Sequence, residues 1–270
     1  MKKTILWVIG IIVIVVLGYF LVTSRSYTSS SYSTSQNNKA TQGKVAVSFT
    51  DATTNIQNIS EVSMTVNKVE LYSQTQGWVT VSNNSYQYQL LQLHAKGQTK
   101  IFAQAEVPVD TYSRIRVTLG DVVVHTGAGS QKTAAVPSKT LDIQGSVSVH
   151  TNETSSLKLD VLADKSLHVT ARGDYVFAPV VNVESRSNAM VGITSDGAVT
   201  INGGSVDTSS SVGMDIDGNV KANFQLDNNA KLDVGSTGVI NILDGTNSGV
   251  NATSSINGAV KSTIDGVINY

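Results

Sequence analysis

Ile115, Val117 and Leu119 alternate with Arg114, Arg116 and Thr118, directly after the turn Val107-Pro108-Val109-Asp110 and the pair Thr111-Tyr112. Period-two alternation sends one set of side chains to each face of an extended strand. The stretch Ala105–Leu119 therefore commits the chain to a sheet, and it is the best candidate for that sheet's central strand. Tyr112 stands where the turn enters the strand. That is the position of a tyrosine corner, in which the ring packs inward and the hydroxyl bonds nearby backbone.

The same period governs the residues on either side. Val45, Val47 and Phe49 alternate before the polar turn Asp51-Ala52-Thr53-Thr54. Val62, Met64 and Val66 alternate, and Val69 and Leu71 resume one residue out of phase, as a β-bulge requires. Gly77 precedes Trp78-Val79-Thr80-Val81, a hairpin return, and Leu90, Leu91 and Leu93 form an apolar patch before a polar loop. Val122–Val124, Val147 with Val149, Leu157–Val161, Leu167 with Val169, and Tyr175–Val183 supply further strands. Eight to ten short strands separated by turns, with no helical pattern among them, predict an all-β sandwich.

These stretches resemble a family, the bacterial and archaeal domain of unknown function 4382, from Gly43 to about Val183. GKVAVSFTDAT (Gly43–Thr53) is similar to its opening strand and Thr-Asp turn, and VSMTVNKVELYSQTQGWVTV (Val62–Val81) to its valine-rich strand and Gly-Trp return. LLQLHAKGQTKIFAQAEVPVDTYSRIRVTL (Leu90–Leu119) and LKLDVLADKSLHVTARGDYVFAPVVNV (Leu157–Val183) complete the likeness. Asp110 departs from it, standing where the family often has glycine; aspartate also suits turns. The resemblance implies a surface-exposed β-sandwich, commonly carrying an N-terminal membrane or lipid anchor. It implies no activity.

Met1-Lys2-Lys3 precedes nineteen uncharged residues, Thr4–Val22. As a helix they would reach about 28 Å, close to the thickness of a bilayer's hydrocarbon core. A cleaved secretory signal would be shorter and end at a small-x-small site, which Phe20-Leu21-Val22-Thr23-Ser24 lacks. A type IV pilin leader would carry a glycine cut site and a glutamate five residues on, both missing here. The segment therefore reads as an uncleaved signal-anchor, and Lys2 and Lys3 against Arg25 set the N-terminus in the cytoplasm. Fifteen of the twenty residues Thr23–Gln42 are Ser, Thr, Asn or Gln, too little apolar surface to fold, so the segment reads as a spacer.

Residues 188–270 hold no arginine, tryptophan or proline, and three lysines against eight aspartates. Asp196-Gly197, Asp217-Gly218, Thr237-Gly238 and Asn257-Gly258 recur about twenty residues apart, each followed two residues later by Val or Ile. Such a period suits either β-solenoid coils or hairpins, and two hairpins in a small β-domain are the preferred reading. The expected architecture is thus an immunoglobulin-like or transthyretin-like β-sandwich with an N-terminal transmembrane helix and a C-terminal β-rich module. Its segments are the signal-anchor (1–23), the stalk (24–42), the sandwich (43–187) and the module (188–270).

Chemistry-bearing patterns are few. Without cysteine the chain has no disulfide, thiolate metal site, thiol nucleophile or lipoprotein cysteine. Charged residues make up 14% and nearly balance, which gives nucleic acid no basic surface to bind. His94, His125, His150 and His168 share no ligand spacing, so no metal site is expected. Asp215-Ile216-Asp217-Gly218-Asn219 resembles part of a calcium loop but lacks its third early ligand and late glutamate, and reads as a plain turn. Arg114 and Arg116 would suit an anionic ligand, although solvated edge charges are the default. Asn58, Asn83, Asn152 and Asn251 open N-glycosylation sequons. No nucleophile elbow, phosphate loop or catalytic carboxylate pair occurs, so neither catalytic residues nor a cofactor is expected.

The expectation is a single-pass membrane protein with its bulk outside the cell, a non-catalytic binding or adhesion module for surface glycans or proteins. Sandwich-end loops and the Asp-rich tail would be its working surfaces. The alternative is a structural subunit of an envelope filament or surface layer, joined by strand addition through Ser262–Tyr270. Asp265-Gly266 interrupts that segment with a turn, which favours a monomer.

Overall fold

Residues 41–53 and 56–243 are described by a computed structural model, and within them the period-two stretches become strands. The expected anchor over Thr4–Val22, the stalk to residue 40, and Ser262–Tyr270 lie outside the described residues. Among those described, no helix is long and apolar enough to cross a membrane.

The first half of the chain runs β1 (Gln42–Thr50), β2 (Ile59–Ser73), β3 (Gly77–Ser82), β4 (Tyr86–Gln89), α1 (Leu90–Lys96), β5 (Lys100–Pro108), β6 (Asp110–Thr126), β7 (Gln131–Ala134) and β8 (Thr140–Val149). There follow β9 (Thr154–Val161), α2 (Ala163–Ser166), β10 (Leu167–Val169), β11 (Tyr175–Phe177) and β12 (Val180–Ser187). The C-terminal stretch holds β13 (Met190–Ile193), β14 (Val199–Asn202), β15 (Ser205–Met214), β16 (Val220–Ala222), β17 (Leu232–Val234) and β18 (Ile240–Ile242).

Two sheets enclose the core. The first has the order β16-β15-β12-β9-β1-β5, antiparallel except for the parallel pair β1/β9. In the second, β2 and β6 pair along their length; β3 and β4 share the outer edge of β2, and β7 and β8 share that of β6. The expected central strand is thus flanked on both sides. Val45, Val47, Phe49, Leu157 and Leu159 from one sheet meet Met64, Leu71, Ile115, Val117 and Ile143 from the other in one contiguous core. Fully burying a side chain of that size contributes about 1.5–3 kcal/mol.

The phase slip in β2 is real. Its register against β6 shifts between Met64 and Val66 and again between Val66 and Lys68. β6 slips too: Leu119 and Val122 are both buried, with Gly120-Asp121 between them. Gly120 lies so close to Thr65 that a Cβ would collide with its side chain. Both strands thereby keep an apolar face inward past the irregularity.

The expectation of no helix is corrected by α1. Leu90 and Leu93, one turn apart, are buried, and Gly97 closes the turn in the left-handed region at φ 57°. Its first N–H groups find acceptors on Glu61 of β2, at 3.0 Å from Leu91 N and 3.2 Å from Gln92 N. The cap comes from another strand, so the local sequence carries no sign of it. A second short helix, α2, begins at a buried junction with β1. Asp51 accepts hydrogen bonds from the Thr53 N–H at 2.9 Å and from the Thr53 hydroxyl, which in turn accepts from the Ala163 N–H at 2.5 Å.

In the C-terminal stretch three hairpins are described where two were expected. β13–β14, β15–β16 and β17–β18 close through one recurring turn, seen at Thr194–Ala198, Asp215–Asn219 and Gly235–Val239. Each places glycine (Gly197, Gly218, Gly238) at φ 80–83°, where an L side chain is strained. The hairpins do not stack as solenoid coils. β15–β16 continues the first sheet across the change of composition at residue 187. β13–β14 bonds to the start of β5 through Ile101 N–Gly197 O and Val199 N–Thr99 O. β17–β18 covers β11 in a small second core of Val176, Leu226, Leu232 and Ile240. The two large sheets are also joined at their margins: Thr208 and Asp207 of β15 accept from the Ser146 and Ser148 N–H groups of β8, and the Tyr88 hydroxyl reaches Ile101 O.

Tyr112 forms the expected corner. Its side chain is fully buried and its hydroxyl donates to Pro108 O at 2.8 Å. Tyr112→Phe keeps the packing and leaves that carbonyl unpaired, a loss of about 0.5–1.5 kcal/mol. Tyr112→Ala also removes the buried ring, a loss of about 3–5 kcal/mol. Chemical denaturation should return these two unequal losses; small and equal losses would show the corner to be dispensable.

Candidate functional site

The outward residues of β9, β12 and β15 line an open groove on the first sheet, with a volume of about 490 Å³. The strand register sets them in rows: Asp160, Asn182 and Ser211 in one, Lys158, Glu184 and Ser209 in the next. Asn223, just past β16, completes one wall. Within the groove the Asn182 amide donates to Asp160 Oδ2 at 3.4 Å, and Lys158 and Arg186 approach Glu184 at 3.4 and 2.7 Å. The Arg186 guanidinium, helped by Lys158, holds the Glu184 carboxyl below the usual carboxylate range. Asp160 Oδ1 has no hydrogen-bond partner among the described residues. The lining therefore offers hydroxyls, amides, an ammonium and carboxylates side by side, with no aromatic ring.

The outward face of the second sheet is different. One row holds Trp78, Tyr72, Arg114 and Gln144; the next holds Thr80, Glu70, Arg116 and Asp142. Asp142 accepts from Arg116 Nε at 2.6 Å and Nη2 at 2.8 Å, and from Arg114 Nη2 at 3.1 Å. The Arg116 bonds hold the Asp142 carboxyl below its ordinary range. The guanidinium carbon of Arg116 lies 4.0 Å from the Trp78 ring centroid and that of Arg114 5.3 Å, with Tyr72 at 5.2 Å from Trp78. Arg114 and Arg116 are thus not solvated edge charges. They stand on an interior strand whose neighbours supply both a carboxylate and an aromatic face.

The remaining candidates stand apart. His94 is exposed on α1, His125 lies in β6, His150 is exposed after β8, and His168 is buried in β10. Among the described residues no group of three metal-ligating side chains converges. The Asp215 carboxylate serves its own turn, accepting from the N–H groups of Asp217 and Asn219 and pairing with Lys221 at 2.7 Å. Asn58, Asn83 and Asn152 occupy exposed turns, and Asn251 lies outside the described residues. The groove was missed by sequence reasoning because its rows come from strands far apart in the chain. Polar residues at alternate positions of Leu157–Val161 and Val180–Ser187 were its only trace.

A family model described as "Domain of unknown function (DUF4382)" matches residues 42–179, just over half of the chain. Searches of curated proteins and of solved structures find no match.

Two buried titratable groups set a pH dependence of stability. Burial pushes the Asp51 carboxyl up to about 6, against the pull of the Thr53 donors. Burial pushes the His168 imidazole down to about 4. A raised carboxyl favours the fold at low pH and loses that contribution as pH climbs from about 4 to 6; a lowered imidazole loses its contribution as pH falls from about 6.5 to 4. The two oppose each other across one window. Asp51→Asn removes the first, so its stability relative to the parent should rise by about 2–3 kcal/mol between pH 4 and pH 7. Parallel stability profiles of parent and variant would show that Asp51 does not titrate there.

Proposed function

The chain belongs to the domain of unknown function family DUF4382, and we propose that it is a membrane-anchored, externally displayed binding protein for surface glycans. The observation that carries this reading is the groove formed by β9, β12 and β15. A sugar hydroxyl both donates and accepts, and rows such as Asp160-Asn182-Ser211 and Lys158-Glu184-Ser209 meet both needs at strand spacing. Protein partners are usually anchored by Trp, Tyr or Arg in desolvated pockets; this lining has no Trp or Tyr, and the adjacent Arg186 is already paired with Glu184.

The anchor over Thr4–Val22 and the stalk are part of the same reading, supported by the length of the apolar run and the lysines before it. The immunoglobulin-like or transthyretin-like arrangement is supported by the Tyr112 corner and the two facing sheets. A filament subunit growing by strand addition has less support. The first sheet ends at one side in β16, three residues long, and at the other in β5, whose start is bonded to the β13–β14 hairpin.

A glycan array probed with the full-length chain should reveal saturable binding, and the double variant Asn182→Ala/Ser211→Ala, two positions of ordinary strand backbone, should weaken it about tenfold or more with an unchanged melting temperature. Binding untouched by the double variant would remove the groove from the reading.

Anchoring makes a separate expectation. On intact cells, external protease should digest the chain beyond the stalk while a tag at Met1 stays protected. A released mature form beginning near Ser24 would overturn it.

A further inference from the structure

We infer that the opposite face, the Trp78–Tyr72–Arg114 row with Arg116 and Asp142 beside it, is a second binding site, for a carboxylate-bearing glycan. Two guanidiniums share one carboxylate here, and Lys68 pairs with Glu70 at 2.6 Å, so the cluster retains one surplus positive charge. The surplus falls on Arg114. Arg116 uses a two-pronged fork on Asp142, whereas Arg114 gives Asp142 a single N–H among the described residues. A guanidinium carries five N–H donors, so Arg114 retains enough for a second planar carboxylate in the fork geometry that Arg116 already displays.

The surroundings prepare that fork. Arg114 lies over both Trp78 and Tyr72, at 5.3 and 5.9 Å from their centroids, which restricts its rotamers and strips part of its water. Its side chain is nevertheless 42% exposed, against 30% for Arg116. Gln144 and Thr80, at the ends of the two rows, offer amide and hydroxyl partners to sugar hydroxyls. Ring faces beside amide and hydroxyl groups suit a sugar, whose C–H face stacks on a ring while its hydroxyls donate and accept; an acidic polypeptide is the competing occupant that the titration excludes. The site uses none of the groove residues; it rests on the glycan-binding reading only for its class of ligand.

The full-length chain has two tryptophans, Trp7 and Trp78. In detergent, a Trp7→Phe background leaves Trp78 as the single tryptophan, which long-wavelength excitation selects over the nine tyrosines. Titration with an oligogalacturonate should change its emission saturably, with affinity falling as salt rises. Arg114→Gln should weaken binding about tenfold or more, and Arg114→Lys, which keeps the charge and loses the fork, should fall well short of the parent. Asn182→Ala/Ser211→Ala should bind the oligogalacturonate like the parent, which separates this site from the groove. The inference is overturned if Arg114→Gln binds like the parent, if neutral dextran produces the same response, or if oligoglutamate binds as tightly as the sugar acid.

Discussion

A long strand keeps one face buried past a mid-sheet irregularity when its partner carries a matching one. β2 and β6, fifteen and seventeen residues long, form the spine of the second sheet. A one-residue slip in either alone would turn its apolar residues to solvent. The two slips lie side by side, Val66 of β2 facing Leu119 of β6, and Gly120 permits the close approach to Thr65. Everything else in that sheet is placed by this match. β3 and β8 extend the lower rows, β4 and β7 the upper ones, and the rows on the outward face inherit their alignment from it.

What could be read from the chain is whatever depends on local pattern. Tyr112, the hairpin at Gly77, the slip after Val66 and the inward set Ile115-Val117-Leu119 all declare themselves within a few residues. What could not be read depends on partners remote in sequence. Leu90–Lys96 becomes helical because Glu61 receives its first N–H groups. Asp51 reads as an ordinary turn residue until Ala163 closes on it and Thr53. The change of composition after Ser187 suggested a separate module, yet β15 pairs with β12 in eight register positions and bonds across to β8. Composition reflects what a strand exposes, whereas pairing depends on backbone, which composition does not encode.

The two outward faces show how the same architecture can present different chemistry. On β9, β12 and β15 small hydroxyl and amide side chains leave a hollow, and the charges there lie mostly beside opposite charges. On β3, β2, β6 and β8 large planar side chains lie against one another on the outward face. Most of the surface ion pairs are exposed enough that each contributes little to stability. Their consequence is local orientation: Asp142 fixes the plane of Arg116, and Trp78 limits what both guanidiniums can do.

The position of β1 has a mechanical consequence. It lies inside the first sheet, hydrogen-bonded to β5 on one side and to β9 on the other. A chain held by its N-terminus and pulled through a ligand on the outer surface would load β1 along its own axis. Both ladders, antiparallel and parallel, would then resist in shear, with many hydrogen bonds sharing the force at once. A terminal strand at the sheet's edge could be peeled away one bond at a time. The order β9-β1-β5 thus sets the first described strand under two ladders that would have to fail together rather than in sequence.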